Sequence, residues 1–249
     1  MTRFGGTRVV VVGGAGGIGG RIAERFTEEG ADTIVLDLAR GAGPTRTAAE
    51  PHRPGRGILH CDLVDAVSVE AAFAVALAEL GGIDVLVNSA GILARGSLLD
   101  LTPERWDLVM DVNARGTLFA MQHAARAMIE QGAGGTIVNI ASMAAKAGGA
   151  DEGAYAASKS AVIGLTRAAA LEWGEHQIRV NALLPGYVLT EMGADTRTEE
   201  DVATWSRKSP LGRLGTPDDV AGFALFLASV DGAYLTGQSF NVTGGMIMH

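Results

Sequence analysis

Tyr155 and Lys159 stand four residues apart in the run GAYAASKSAVIGLTRAAALEW, 153–173. The rest of the run is mostly small or apolar, and the chain has three tyrosines in all. Residues four apart share a helix face, so the lysine reaches the neighbourhood of the phenol. A free phenol titrates at about pH 10 and is a poor base at neutrality, but an adjacent cation favours phenolate and lowers that value. The spacing therefore suits an acid/base group. Upstream, VNIAS puts Ser142 at the carboxyl end of a predicted strand, where ligand crevices of α/β sheets form. Its hydroxyl can hold a substrate oxygen while Tyr155 moves the proton. Taken alone, Y-x-x-x-K more often describes a core aromatic beside a solvated helix charge. A second constellation tips the balance.

RVVVVGGAGGIGGRIAERF, 8–26, places glycines where a first strand hands over to a helix, with Gly13, Gly17 and Gly19 in the spacing G-x-x-x-G-x-G. Such a turn points backbone N–H groups at the positive end of a helix dipole, and a pyrophosphate satisfies them. A structural tight turn is the alternative, and Asp37 argues against it. It ends the second predicted strand, eighteen residues past Gly19, where a carboxylate accepts hydrogen bonds from an adenosine ribose diol. The same carboxylate repels a 2′-phosphate. With Leu38 and Gly16 beside it, no adjacent basic residue pairs that phosphate, although Arg40 and Arg46 lie in a loop that could fold back. NAD is expected rather than NADP.

The elements that must position these groups alternate. Short β-branched runs fall at 8–12, 33–37, 57–61, 84–88, 136–140, 178–183 and 239–242, and helical patterns at 18–29, 66–80, 103–111, 114–131, 154–173 and 217–229. RVVVV and TIVLD are apolar nearly throughout, as strands buried on both faces are. Strand and helix in alternation predict an α/β, Rossmann-type, three-layer doubly wound fold with a mainly parallel seven-stranded sheet. In GTPDDVAGF, Thr216, Pro217 and Asp219 form a helix start with a capping box. No repeat or linker divides the chain, so 1–249 is expected to be a single domain. The segment 40–57 is the long surface loop, with room for a short helix.

Composition narrows the function. The formal charge of -8, with 28 acidic against 20 basic residues, and the lack of a Lys/Arg cluster argue against a nucleic-acid surface. One cysteine, Cys61, allows no internal disulfide and fits a cytoplasmic location. MTRFGG leads into an apolar run too brief for a secretory signal, and the apolar segment 220–230 is too short to span a bilayer. No membrane partner and no metal are expected.

The pieces GGAGGIG, CDL, NSAG, the Asn of DVNARG, IAS, YAASK, IRVNALLPG and VTGG resemble, in order and spacing, the classical short-chain dehydrogenase/reductase family along essentially the whole chain. The resemblance implies that Tyr155 is the acid/base, Lys159 its partner and a ligand of the nicotinamide ribose, and Ser142 the group that positions the substrate oxygen. It implies that Asn113 holds a water in a proton relay with Lys159. Gly13, Gly17 and Gly19, with Ile18 among them, match the cofactor loop. Asp62, followed by Leu63, matches the residue that meets the adenine amine. Asn88, Ala90 and Gly91 match the wall of the adenosine half. Pro185 and Gly186 open the loop near the nicotinamide, and Val188 and Thr190 match contacts to its carboxamide. The family also implies a homotetramer, packed through helices 114–131 and 154–173 and the C-terminal segment. Three departures are mild. Val12 replaces a usual threonine, Ser89 the second asparagine of NNAG, and Gly16 stands where NADP-preferring members often carry a basic residue.

The leading expectation is an NAD-dependent oxidoreductase interconverting a secondary alcohol and a ketone. The rivals are a 3-oxoacyl-thioester reductase, a sugar or polyol dehydrogenase, and a nucleotide-binding scaffold without turnover. The segment 190–215 is expected to be a substrate lid, with Thr198 capping a helix that begins at Glu199. It offers Met192, Trp205 and Leu211 as apolar lining with Leu93 and Tyr187 nearby, and Arg197, Arg207 and Lys208 for an anionic substrate.

Overall fold

RVVVV forms strand β1 (Arg8–Val12), and its valines alternate. Val10 and Val12 join a core cluster with Phe73, Met121 and Met128, whereas Val9 and Val11 join one with Ile22, Phe26 and Leu225. Successive side chains of a strand face opposite ways, so an unbroken apolar run is what a sheet with a core on each side requires. The computed structural model describes residues 2–38, 57–190 and 198–248. Most of the predicted loop 40–57, with Arg40 and Arg46, lies outside these residues, as do Met192 and Arg197.

After β1 come α1 (Gly17–Glu28), β2 (Asp32–Asp37), β3 (Ile58–His60), α2 (Ala66–Leu80), β4 (Val85–Asn88), α3 (Pro103–Met110) and α4 (Gly116–Gln131). They are followed by β5 (Gly135–Ile140), α5 (Ala144–Ala147), α6 (Gly153–Trp173), β6 (Ile178–Pro185), α7 (Glu199–Lys208), α8 (Pro217–Ala228) and β7 (Ser239–Val242). The sheet has seven strands in the order β3-β2-β1-β4-β5-β6-β7. All six pairings are parallel. Residues of α2, α4 and α6 supply one core cluster and those of α1 and α8 the other, giving three layers.

Local signals act as expected. Thr216 accepts from the Asp219 N–H while the Asp219 carboxylate accepts from the Thr216 N–H, and α7 starts on the same device with Thr198 and Asp201. Two differences bear on the site. The predicted helices at 103–111 and 114–131 are not separated; a widened turn, Asp111–Arg115, joins α3 to α4. One extra residue in a helical turn shifts the apolar stripe without breaking the chain, which from periodicity alone looks like an interruption. The four-residue α5 was not anticipated, being too short to leave a periodic trace.

Candidate active site

The chain winds outward from β1 to β3, then crosses back to place β4 on the other side of β1. That reversal of winding between β1 and β4 is where a ligand crevice forms at the carboxyl ends of the strands. Gly13 leaves β1 with φ 78°, and a Cβ there would collide with the backbone of Ala90, so the two loops lie backbone against backbone. Helix α1 begins at Gly17 behind Gly16, an N-cap residue with no side chain of its own to cap the turn. Ile18 packs on the core below. A cleft of about 250 Å³ runs from Gly16, Gly17 and Gly20 to Leu189 and Thr190, joining the start of α1 to the segment after β6.

The Asp37 carboxylate sits on this loop. Its Oδ2 accepts the Ala15 N–H at 2.8 Å and its Oδ1 accepts the Leu38 N–H at 2.7 Å. Asp62 follows β3 and accepts the Val64 N–H at 3.0 Å, while Leu63 is buried beneath. Burial, with the nearby charges of Asp62 and Asp37, pushes the Cys61 thiol up to about 12, so it is inert at neutral pH. A helix start behind a glycine turn with no room for a side chain, and a carboxylate at the end of β2, fit the pyrophosphate and ribose of a dinucleotide.

On α6, Tyr155 and Lys159 share a face as their spacing requires. Lys159 is buried and donates from Nζ to the Ile140 carbonyl at 2.9 Å. That ammonium lies 5.8 Å from the Tyr155 ring centroid, and burial lowers its pKa to about 8. A Cβ built on Gly91 would stand 3.1 Å from Lys159 Nζ and 3.3 Å from Asn113 Oδ1, so glycine lets the β4 loop close over both. Ser142 Oγ accepts the Ala144 N–H at 3.1 Å, and the Ser142 hydroxyl stands near enough to the Tyr155 phenol to act on its pKa.

The spacing of Tyr155 and Lys159 predicted a phenol with a lowered pKa; the structure shows the opposite direction. Burial raises it, the Ser142 hydroxyl opposes that, and the charge of Glu152 adds to the rise. Lys159 is itself desolvated and turned to Ile140, so in this state desolvation of the phenol wins.

Asn113 lies on the widened turn, fully buried. Its Nδ2 donates to the Ile92 carbonyl at 2.9 Å and to Ser158 Oγ at 3.0 Å, and its Oδ1 accepts the Ile92 N–H at 2.8 Å. Ser158 in turn donates to the Tyr155 carbonyl at 2.7 Å, tying the turn to α6. Sequence reasoning missed Ser158. A serine between Tyr155 and Lys159 carries no signal until the turn places Asn113 opposite it.

The other expected residues are placed as follows. Asn88 is buried, its Nδ2 donating to Asn139 Oδ1 at 2.8 Å, so its side chain supports the crevice from beneath. Pro185 ends β6, and Gly186 donates its N–H to the Val242 carbonyl at 3.0 Å. Val188 bridges to Gly215. Tyr187 stacks on Trp205 of α7, and Lys208 Nζ lies 5.8 Å from the Tyr187 ring. Arg207 turns to Thr204. Leu211 is exposed and lines another cavity, of about 410 Å³, with Gly244 and Ile247.

Comparison with known proteins agrees with this geometry. A family model described as enoyl-(acyl carrier protein) reductase matches residues 13–247. Sorbitol dehydrogenase of Cereibacter sphaeroides is 37% identical, over 98% of each chain. A (3R)-3-hydroxyacyl-CoA dehydrogenase of Homo sapiens is also 37% identical, over 96% of this chain and 95% of its own. A crystal structure of a short-chain type dehydrogenase/reductase from Mycobacterium marinum superposes with a TM-score of 0.89 at 34% identity, covering 100% of this chain and 98% of the other. The chain belongs to the classical short-chain dehydrogenase/reductase family. It is an oxidoreductase that works by hydride transfer on an NAD(P)-binding Rossmann fold. Among the described residues no helix is long and apolar enough to cross a membrane, and no cluster of His, Cys, Asp or Glu is placed to hold a metal ion.

Proposed function

We propose that the protein is an NAD-preferring dehydrogenase of a secondary alcohol, with Tyr155 as acid/base. The carrying observation is the pairing of Tyr155 with the buried Lys159 on one helix, the ammonium 5.8 Å from the phenol ring centroid. In oxidation, Ser142 and Tyr155 hold the substrate hydroxyl, and Tyr155 as phenolate takes its proton; in reduction, Tyr155 returns it. Nicotinamide, when bound, supplies the hydride acceptor or donor. Lys159 holds the nicotinamide ribose, and its positive charge stabilises the phenolate when the two are drawn together. Asn113 holds a water that links Lys159 to solvent.

Gly13, Gly17, Ile18 and Gly19 cradle the pyrophosphate. Asp37 takes the ribose diol, Asp62 and Leu63 the adenine, and Ala90 and Gly91 the adenosine wall over Asn88. Pro185, Gly186, Val188 and Thr190 meet the nicotinamide end. The NAD preference rests on Asp37, whose carboxylate occupies the place a 2′-phosphate needs. Residues 1–249 act as one domain with a lid over the site at 190–215, in a cytoplasmic homotetramer; the single cysteine supports the location and the family the assembly.

Among substrates, the likeness to sorbitol dehydrogenase favours a polyol. The likeness to the human hydroxyacyl-CoA enzyme, with the description of the family model, favours a 3-oxoacyl or 3-hydroxyacyl thioester as second reading. The test is NADH and NADPH absorbance across polyols, simple secondary alcohols, hydroxy acids and both thioesters. NAD-linked oxidation of a polyol or secondary alcohol is expected. NADPH-linked turnover of thioesters alone would replace this reading with the second.

A further inference from the structure

Glu152 is the residue before α6, three positions ahead of Tyr155. Its carboxylate is ion-paired with Arg95, Nη2 to Oε1, at 3.3 Å. Arg95 belongs to the loop after β4, which forms the opposite wall of the crevice. The two loops are also joined through their backbones. Gly96 donates its N–H to the Asp151 carbonyl at 2.9 Å, and Asp151 is held at φ 61°, a left-handed conformation rare outside glycine. Arg105 of α3 donates to the Arg95 carbonyl, which fixes the backbone that carries the guanidinium. The Asp201 carboxylate, in the first turn of α7, is held low by its hydrogen bonds with Thr198, with a smaller contribution from the Arg95 charge.

We propose that Arg95 is a positioning residue for the reaction: by holding Glu152 it shields Tyr155 from a carboxylate three residues away. The inference rests on Tyr155 being the acid/base group. Left unpaired, Glu152 disfavours phenolate, since like charges resist being brought together. Several other charged groups on the elements around α6 are engaged elsewhere. Lys159 bonds Ile140, Asp111 pairs with Arg115 on the widened turn, Lys146 of α5 reaches Asn241, and Arg179 of β6 donates to the Leu227 carbonyl. On α4, His123 stacks on Phe73 of α2, away from this start. Glu152 and Arg95 are therefore the pair whose balance Tyr155 feels from the mouth of the site.

The test is a phenolate absorbance titration of the full chain, each variant read against its own Tyr155→Phe counterpart, so that Tyr155 alone is followed. Arg95→Gln is expected to move the Tyr155 transition to higher pH, and Glu152→Gln to lower pH. Arg95→Gln added to Glu152→Gln is expected to produce little further rise, because nothing is left to shield. An Arg95→Gln shift of equal size in both backgrounds, or no shift in either, would overturn the inference. The pH profile of kcat/KM for alcohol oxidation is measured on the same variants and is expected to move in parallel. Titrations that shift while that profile stays fixed would leave the pairing standing and reject Tyr155 as the acid/base.

Discussion

The rings of Tyr187 and Trp205 lie face to face, 4.6 Å between centroids and 9° between planes. Tyr187 follows the end of β6, and Trp205 is in the middle of α7. The stack ties α7 to the segment that leaves the carboxyl end of β6.

Trp205→Ala is therefore expected to loosen α7 and raise KM for the alcohol, with kcat/KM down about tenfold, the equivalent of ~1.4 kcal/mol, a size typical of an aromatic pair. Trp205→Phe keeps a stacking partner and should lose much less. Steady-state kinetics on both variants decide it; equal losses would mean that the stack does not hold the lid.

Tyr155→Phe removes the hydroxyl and leaves the ring. Turnover is expected to fall by at least about 10²-fold, the lower range for a positioned acid/base group. NADH affinity, followed by fluorescence titration, should stay close to native. Near-native turnover would reject the assignment.

Much of the fold and of this cluster of residues is legible in the sequence. The valines of β1, the capping box of Thr216 and the spacing of Tyr155 and Lys159 are local signals, and the structure honours each. What the sequence hid is relational. That Arg95 meets Glu152, or that Ser158 joins Asn113 to the Tyr155 backbone, depends on loops from different strands arriving side by side, and no periodicity records that. The direction of the Tyr155 pKa was hidden for a further reason. Spacing reports how near a charge stands but not how much water both groups have lost, and here desolvation outweighs proximity.

Asp37 offers a cleaner separation of binding from stability. Its two hydrogen bonds, to Ala15 and Leu38, are exposed to solvent, so water can replace the carboxylate as acceptor. Asp37→Ala should change unfolding free energy by no more than about 1 kcal/mol. It should weaken NAD and improve NADP, shrinking the kcat/KM preference at least about tenfold. Paired kinetics with the two cofactors, beside a denaturant melt, test both halves. An unchanged preference would move the discrimination to another residue.

Lys159 gives the pH dependence of stability. Buried, its pKa falls from 10.5 to about 8. Between those two values the unfolded chain binds the proton and the folded chain does not, so stability rises with pH across that window. Below about 8 both states are protonated and the full penalty of a buried ammonium is present; above 10.5 it is gone. Lys159→Met places an apolar chain of similar length in the same site and has no proton to lose. It should be inactive, and its stability relative to native should be greatest near pH 7. From there to pH 10 that relative stability should decline by about 2 kcal/mol, as the native protein sheds its buried charge. Chemical denaturation at the two pH values measures the difference directly. Parallel stability curves for the two proteins would mean that the folded Lys159 keeps its ordinary pKa, with water or a counter-charge reaching Nζ.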